Sequence, residues 1–162
     1  MAKQTIVESV KDALAVGSGI IESAEKEVAW LLPPNLLVFA DQYDITSKSK
    51  TLIENGGRVR GVFHISSPYV ELARSRLDIG ENVRHVDQYD GVFFLVGDKT
   101  QSISSIHVNQ EDLSVDDPAV AFWSQEPTYA EYLMSNFEQA WAQGVDAQKH
   151  ISELLKEGTA QA

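Results

Sequence analysis

Ionisable side chains crowd into one short stretch of the chain, NVRHVDQYDGVFFLVGD, at residues 82–98. Five of them lie within seven residues, directly before the apolar run VFFLV: Arg84, His85, Asp87, Tyr89 and Asp90. Side chains two apart on a strand share a face, so His85 and Asp87 point together and away from Arg84. A histidine beside a carboxylate is typical of a general base with an orienting group. The alternative is a strand end that carries a salt-bridged arginine and a hydrogen-bonded histidine.

The four histidines of the chain fall on different predicted elements: His64, His85, His107 and His150. No two of them have HxH or HExxH spacing, so no pair of ligands for one metal ion is indicated. No GxxxxGK[ST] or GxGxxG segment is placed to bind phosphate. The sequence therefore predicts neither a metal site nor a cofactor. If the strands of His64 and His85 are neighbours, these two histidines meet, and with Asp87 they are the candidate site of a phosphodiesterase-type hydrolase.

The carboxyl ends of the predicted strands suggest a second hypothesis, a ligand site, because ligands of open α/β sheets bind there. Seven residues lie at or just after the carboxyl ends of the first three predicted strands or open the helix after the second: Asp41, Tyr43, His64, Ser66, Ser67, Arg84 and His85. Together they supply an aromatic ring, a cation, two imidazoles and a helix N-terminus, which suit a small anionic or polar ligand. The alternative is that Arg84 pairs with a carboxylate such as Asp41 and that backbone groups satisfy the imidazoles.

The spacing of apolar residues predicts the elements that position these side chains. Apolar or small residues every three or four positions predict a long helix over 3–32, ended by Pro33 and Pro34, and another over 127–156. Two shorter helices are predicted over 46–57 and 67–77. The predicted strands are 36–41, 58–66, 82–87, 91–98, 102–108 and 119–123.

This order predicts an α/β fold with a mixed, mainly parallel sheet between helix layers and long N- and C-terminal helices. The chain length of 162 residues suits one domain. Its parts are an N-terminal helix at 1–32, a sheet core at 33–125, a C-terminal helix at 126–157 and a tail at 158–162.

The composition narrows the classes of partner. The formal net charge is −11 and there are no cysteines, which excludes disulfides and thiol catalysis. A chain this acidic is repelled by nucleic acid and by anionic membranes. With no signal-peptide pattern and no long apolar run, we expect a cytoplasmic protein that contacts neither DNA nor a membrane directly. The length of the predicted N-terminal helix favours a homodimer.

Four segments, in this order, resemble phospholipase D-like regulatory domains: AEKEVAWLLP, LIENGGRVRGVFHIS, RHVDQYDGVFFLVGD and NFEQAWAQGVDAQKHISEL. They look most like the sensory domains of archaeal signal-transduction histidine kinases and related transcriptional regulators. The matching features are a strand at 57–66 that contains R-x-R-G-x-x-x-I-S/T, the pair Arg84-His85 followed by a strand that ends at Asp98, and Phe137 with Trp141 on the last helix.

The resemblance implies that the catalytic site is lost. Phospholipase D enzymes use His-x-Lys-x-x-x-x-Asp on the strand that VFFLVGD resembles. Alignment on Asp98 places Gly91 at the histidine and Phe93 at the lysine, so the chain is predicted not to be an enzyme. A non-enzymatic sensory or regulatory domain follows, with a small ligand or a kinase or DNA-binding regulator as its partner. The hydrolase and a ligand-free dimerisation module remain the alternatives.

Overall fold

The computed structural model describes residues 4–89, 91–105 and 113–161, with side chains described up to residue 158. Within these residues, eight strands form one sheet: β1 Gln4–Ser9, β2 Glu27–Leu31, β3 Arg58–Phe63, β4 Asn82–His85, β5 Phe93–Gly97, β6 Gln101–Ser105, β7 Pro118–Ser124 and β8 Val145–Asp146. The helices are α1 Val10–Ser23, α2 Pro34–Leu37, α3 Ile45–Glu54, α4 Val70–Asp78, α5 Pro127–Gln143 and α6 Ala147–Gln161, with a short 3-10 helix at Ser67–Tyr69.

The strands run in the order β1-β7-β6-β5-β2-β3-β4-β8. This mixed α/β architecture confirms the predicted fold class, but the expectation of a mainly parallel sheet is wrong. Only β2, β3 and β4 are parallel neighbours, and every other pairing is antiparallel. The reason lies in the connections: helices join β2 to β3 and β3 to β4, whereas β5 and β6 are joined by a tight turn that permits only antiparallel pairing.

Helices cover both faces of the sheet, as predicted. On one face, apolar residues of α1, α3, α4 and α6 form a core with alternate residues of the strands, such as Trp30 and Phe63. On the other face, α5 packs Leu133 and Phe137 against the intervening residues, such as Leu31 and Val62. Neighbouring residues of the central strands therefore face different helices.

The predicted N-terminal helix over 3–32 is wrong. Its middle part is α1, which begins after Ser9, whose side chain accepts a hydrogen bond from the backbone N–H of Asp12 at 3.2 Å. The parts on either side are strands, β1 and β2. Since β2 is buried on both faces, its run EVAWL lacks the alternation that marks a half-buried strand.

Two further boundaries differ from the prediction. The expected strand at 36–41 is instead the short helix α2 followed by hydrogen-bonded turns, and Pro34 at its first turn favours the helix. The expected helix at 127–156 is divided at Gly144 into α5 and α6, with β8 between them. A Cβ at Gly144 would lie 2.9 Å from the Arg84 Cβ, so glycine permits β8 to approach β4.

The other predicted elements are present near their expected positions. These are the helices at 46–57 and 67–77 and the strands at 58–66, 82–87, 91–98 and 119–123. The strand predicted at 102–108 is described as far as Ser105. Its last residues, with His107, lie outside the described residues, as does Asp90.

Candidate functional site

A pocket of about 100 Å³ opens where β2, β3 and β4 end and β5 begins. We call it the edge pocket. Most of its lining is apolar, with four polar side chains on one side: Leu31, Leu32, Pro33, Pro34, Phe63, Val86 and Phe93 with His64, Asp87, Gln88 and Tyr89. Because parallel strands deliver their carboxyl ends to one edge, this is the place at which the sequence predicts a ligand site.

Three imidazoles cluster beside the edge pocket. The ring of His85 is stacked on that of His150 at 3.5 Å between centroids, and the ring of His64 lies 5.0 Å from His85. The predicted meeting of His64 and His85 is thus confirmed. His150 was missed as a site residue, because the break at Gly144 that turns α6 back over β4 leaves only a weak signal, one glycine, in the sequence.

Both nitrogens of His85 are engaged. Its Nδ1 accepts the backbone N–H of Ile65 at 2.9 Å, so its Nε2 carries the proton and donates to Asp87 Oδ1 at 2.8 Å. His85 is also almost fully buried. The predicted general base therefore has no nitrogen left for a substrate.

The environment of His85 favours the neutral ring. Burial lowers the pKa of His85 below 6.5, and the neighbouring His150 and His64 act in the same direction, while Asp87 opposes them. The imidazole in turn lowers the pKa of Asp87, which is fully exposed. A buried neutral histidine and an exposed carboxylate follow from this pairing.

His64 differs from His85 in exposure and in bonding. Its Nδ1 donates to the Val86 carbonyl at 2.9 Å, and the ring is exposed and lines the edge pocket. This tautomer leaves the Nε2 lone pair as an acceptor. His64 is therefore the imidazole of this cluster that is able to take a proton from, or accept a hydrogen bond of, a pocket ligand.

Arg84 lies on the opposite face of the sheet from His85. Its guanidinium is 4.1 Å from the Trp141 ring centroid, and Nη1 donates to the Trp141 carbonyl at 2.7 Å. Arg60 stacks against the same ring at 5.3 Å and pairs with Glu27 and Glu138. The structure thus gives Arg84 a packing role against α5 and does not bring it to the histidines.

The other predicted rim residues are dispersed. Ser66 and Ser67 follow β3 near the histidines, although no side-chain hydrogen bond caps the 3-10 helix that begins at Ser67. Asp41 and Tyr43 lie in the turns before α3, where the Tyr43 carbonyl accepts the Ser18 hydroxyl at 2.6 Å. Of the seven candidates, His64 is the one that lines the edge pocket, with His85 directly behind it.

An aromatic pair forms the β5 side of the edge pocket. The rings of Tyr89 and Phe93 lie 5.5 Å apart, and the Tyr89 hydroxyl donates to the Val92 carbonyl at 2.6 Å. Burial raises the pKa of Tyr89 to about 12, so the hydroxyl is a donor at any physiological pH. A Cβ at Gly91 would lie 2.5 Å from that hydroxyl, so the absence of a side chain at Gly91 makes room for the Tyr89 ring.

Asp98, the residue that the resemblance keeps, has a structural task. Its carboxylate accepts the backbone N–H groups of Glu25, Lys26 and Glu27 at 2.8–2.9 Å, which anchors the start of β2 to the end of β5. Burial opposes the charged form, but the three donors outweigh it and lower the pKa of Asp98. The lowered pKa means that the stabilisation is complete above about 3.8 and is lost as the pH falls below it.

We expect Asp98→Asn to lower the free energy of unfolding by about 1.5–3 kcal/mol at pH 7, because a charged acceptor with three donors is replaced by a neutral amide oxygen. Urea denaturation at pH 7 and pH 3 measures this. The deficit relative to the parent chain should shrink at pH 3, because below about 3.8 the unfolded state takes up the proton that the folded state excludes from Asp98. A deficit that is the same at both pH values would contradict the role of the charge.

In the described part of the chain, no group of three or more histidine, aspartate or glutamate side chains is arranged to hold a metal ion. None of the helices there has the length and apolar character needed to cross a bilayer.

Comparison with known proteins identifies the fold. Nuc from Salmonella typhimurium, a phospholipase D family member, superposes with a TM-score of 0.70 at 14% identity, over 90% of this chain and 98% of Nuc. NucT from Helicobacter pylori gives 0.67 at 14% identity, over 90% and 99% of the two chains. The chain has the phospholipase D-like fold. The resemblance inferred from the sequence motifs is thereby confirmed at the level of the fold.

The phospholipase D-like fold also occurs in a protein that binds DNA. TrmBL2, an archaeal chromatin protein whose structure shows a novel mode of DNA binding, matches with a TM-score of 0.66 at 14% identity, over 89% of this chain. This chain spans about half of TrmBL2, 54% of its length. Comparisons with protein-family models and with curated proteins gave no match.

Proposed function

We propose that this chain is a non-enzymatic regulatory domain of the phospholipase D-like fold that binds a small polar ligand in the edge pocket. The proposal depends on the position of Phe93 in the edge pocket. Its ring lines the edge pocket at the position where the resemblance requires the catalytic lysine, and Gly91 stands where it requires the histidine. None of the four histidines of the chain is followed two positions later by a lysine. The pocket thus has the place for a ligand without the cation that phosphoryl transfer requires.

The regulatory part of the proposal rests on charge and on one structural neighbour. TrmBL2 binds DNA, and the region that matches this chain is about half of its length. With a net charge of −11, the present chain is poorly suited to bind phosphates itself. We therefore propose that it acts through a kinase or DNA-binding partner, in the cytoplasm, and as a homodimer. The long helix that first suggested the dimer is absent, and the exposed edges of β1 and β8 are now the candidate contacts.

A second candidate function, hydrolysis, is favoured by one observation. His64 is exposed to the edge pocket with its Nδ1 bonded to a backbone carbonyl, and this fixes the tautomer in which Nε2 is able to act as a base or nucleophile. The pocket lining also contains the Asp87 carboxylate, the Gln88 amide and the Tyr89 hydroxyl. A hydrolase of this kind would depend on His64 and not on His85.

Turnover of bis(4-nitrophenyl) phosphate separates the two functions. We expect no hydrolysis above the buffer rate at any pH between 5 and 9, because no described lining residue of the edge pocket is a lysine or an arginine. Turnover that persists through repurification, disappears in His64→Asn and remains in Ser67→Ala would establish the hydrolase instead. Ser67 is the matched control, since it is exposed near the end of β3 and does not line the pocket.

Ligand binding has its own measurement. Thermal melts with inorganic phosphate, small carboxylates, amines and amides should show a shift for at least one class, which His64→Asn removes and Ser67→Ala keeps. Absence of any shift across these classes would contradict the ligand site. Mobility shifts with duplex DNA at 0.15 M salt should show no retention of the domain alone.

A further inference from the structure

One residue of the loop after β3 is held at both of its backbone groups by imidazoles. The N–H of Ile65 donates to His85 Nδ1 at 2.9 Å, and the carbonyl of Ile65 accepts from His150 Nε2 at 2.9 Å. The two rings are stacked at 3.5 Å with their planes 7° apart. We call this arrangement the Ile65 clamp, and it joins the end of β3 to β4 and α6.

The donors and acceptors of the clamp fix the protonation states of its rings. A backbone N–H has only a proton to offer, so His85 Nδ1 must be unprotonated, and a backbone carbonyl accepts only, so His150 Nε2 must carry a proton. His150 and His64 each take an additional proton without losing their backbone bond. His85 does not, because a proton on Nδ1 would face the N–H of Ile65 donor to donor.

The groups that face His85 act on its protonation in opposite directions. Asp87, on the segment after β4, favours the charged ring, whereas His150 on α6 and His64 at the end of β3 disfavour it once they are charged themselves. Burial also disfavours it. Because the net effect of these groups lowers the pKa of His85, the N–H of Ile65 loses its acceptor only below the ordinary histidine range.

The clamp is next to the edge pocket. His64 precedes Ile65, lines the pocket and bonds to the Val86 carbonyl, while Val86 itself donates its N–H to Phe63. A shift of the backbone at Ile65 is thus transmitted to the His64 wall through one peptide bond. Ile65 itself is almost fully buried and belongs to the core on the α6 side of the sheet.

We propose that protonation of His85 opens the Ile65 clamp and displaces His64 from the wall of the edge pocket, which makes ligand binding depend on pH. The inference rests on the proposed function, because it assumes that the edge pocket is the ligand site. Its direction follows from the geometry: the pocket is formed at neutral pH and is lost in acid.

Amide hydrogen exchange and histidine titration by NMR test the clamp without any ligand. The protection factor of the Ile65 amide should fall roughly tenfold for each pH unit as the pH approaches the midpoint of His85 from above, and it should level off below that midpoint, as expected when one proton controls one opening equilibrium. His85→Asn should abolish that pH dependence while it keeps protection, since the amide oxygen of the new side chain accepts from Ile65 but does not titrate. His64→Asn is the control and should keep the dependence.

Constant Ile65 protection across the titration of His85, or a pH dependence that survives in His85→Asn, would overturn the proposal. If His85→Asn does not fold, the parent chain decides alone, because the Ile65 amide shift and the His85 Cε1 proton shift must then share one midpoint. The amide measurement does not involve the pocket ligand. A failure of ligand binding in the thermal melts and a failure of the clamp are therefore distinguishable.

Discussion

We expect Gly61→Ala to lower the free energy of unfolding by about 3–5 kcal/mol, from overpacking together with an unsatisfied buried carboxylate. Gly61 on β3 lies directly beside Trp30 on β2, and a Cβ there would be 2.0 Å from two carbons of the indole ring. The indole ring cannot move away without losing the hydrogen bond that its Nε1 donates to the buried Glu81 at 2.7 Å. The added methyl group therefore either moves the central strands apart or breaks that hydrogen bond.

Urea denaturation followed by the fluorescence of the tryptophans measures this loss, and Gly19→Ala is the matched control. Gly19 lies in α1, where an added Cβ meets no atom within 4 Å. That substitution should raise stability by about 0.5–1 kcal/mol through helix propensity. Equal effects at the two glycines would show that the contact between Gly61 and Trp30 does not limit the packing.

Arg76→Met should lower the free energy of unfolding by about 3–5 kcal/mol at pH 7, because it leaves a buried carboxylate without its cation. The side chains of Arg76 and Glu81 are 2% and 0% exposed, and Arg76 Nε lies 3.5 Å from Glu81 Oε2. Arg76 also donates to the Thr46 hydroxyl, which ties α4 to α3.

The pH dependence of this loss has a definite sign. Burial raises the pKa of Glu81, while Arg76 and the Trp30 donor oppose the rise. A raised pKa in the folded state means that the contribution of Glu81 to stability is present below about 4.5 and declines as the pH rises. The deficit of Arg76→Met should therefore be smaller at pH 4 than at pH 7.

Arg74→Met on the same helix is the control for Arg76→Met. Arg74 pairs with Glu71 at 2.5 Å, but both side chains are exposed, at 39% and 81%. Its loss should cost less than about 0.5 kcal/mol, as for other surface pairs. A comparable loss for Arg74 and Arg76 would contradict the role of burial, as would an Arg76→Met deficit that grows in acid.

Local patterns predicted those elements whose signal was local. Strands β3 and β5 and helix α3 are bounded by turn residues, such as Gly56 and Asp98, which take positive φ values in the structure. The segment EVAWL has no such signal, because a central strand buried on both faces and a buried helix both appear as an unbroken apolar run. Its identity as β2 depends on its neighbours β3 and β5, which are distant in the sequence.

The site was predictable to the same extent. His64 directly follows β3 and His85 is the last residue of the neighbouring parallel strand β4, so their proximity could be inferred from strand ends alone. His150 could not, since its position depends on the turn at Gly144 and on the pairing of β8 with β4. Arg84 was misplaced because the rule of carboxyl ends groups residues by the edge of the sheet, although the alternation of strand side chains already pointed Arg84 away from His85. In the structure Arg84 faces α5 and His85 faces α6.

The pairing of β1 with β7 also has a consequence for synthesis on the ribosome. Gln4 pairs with Ser124, so β1 has no sheet to join until β7 has left the exit tunnel. At about 5–20 residues per second, β1 remains unpaired for roughly 6–24 s after it has been made. During that interval the run Thr5-Ile6-Val7 is a short, β-branched segment with free backbone groups, the kind of segment that chaperones and aggregating chains recognise. The first strand of this sheet to be synthesised is thus among the last to find its partner.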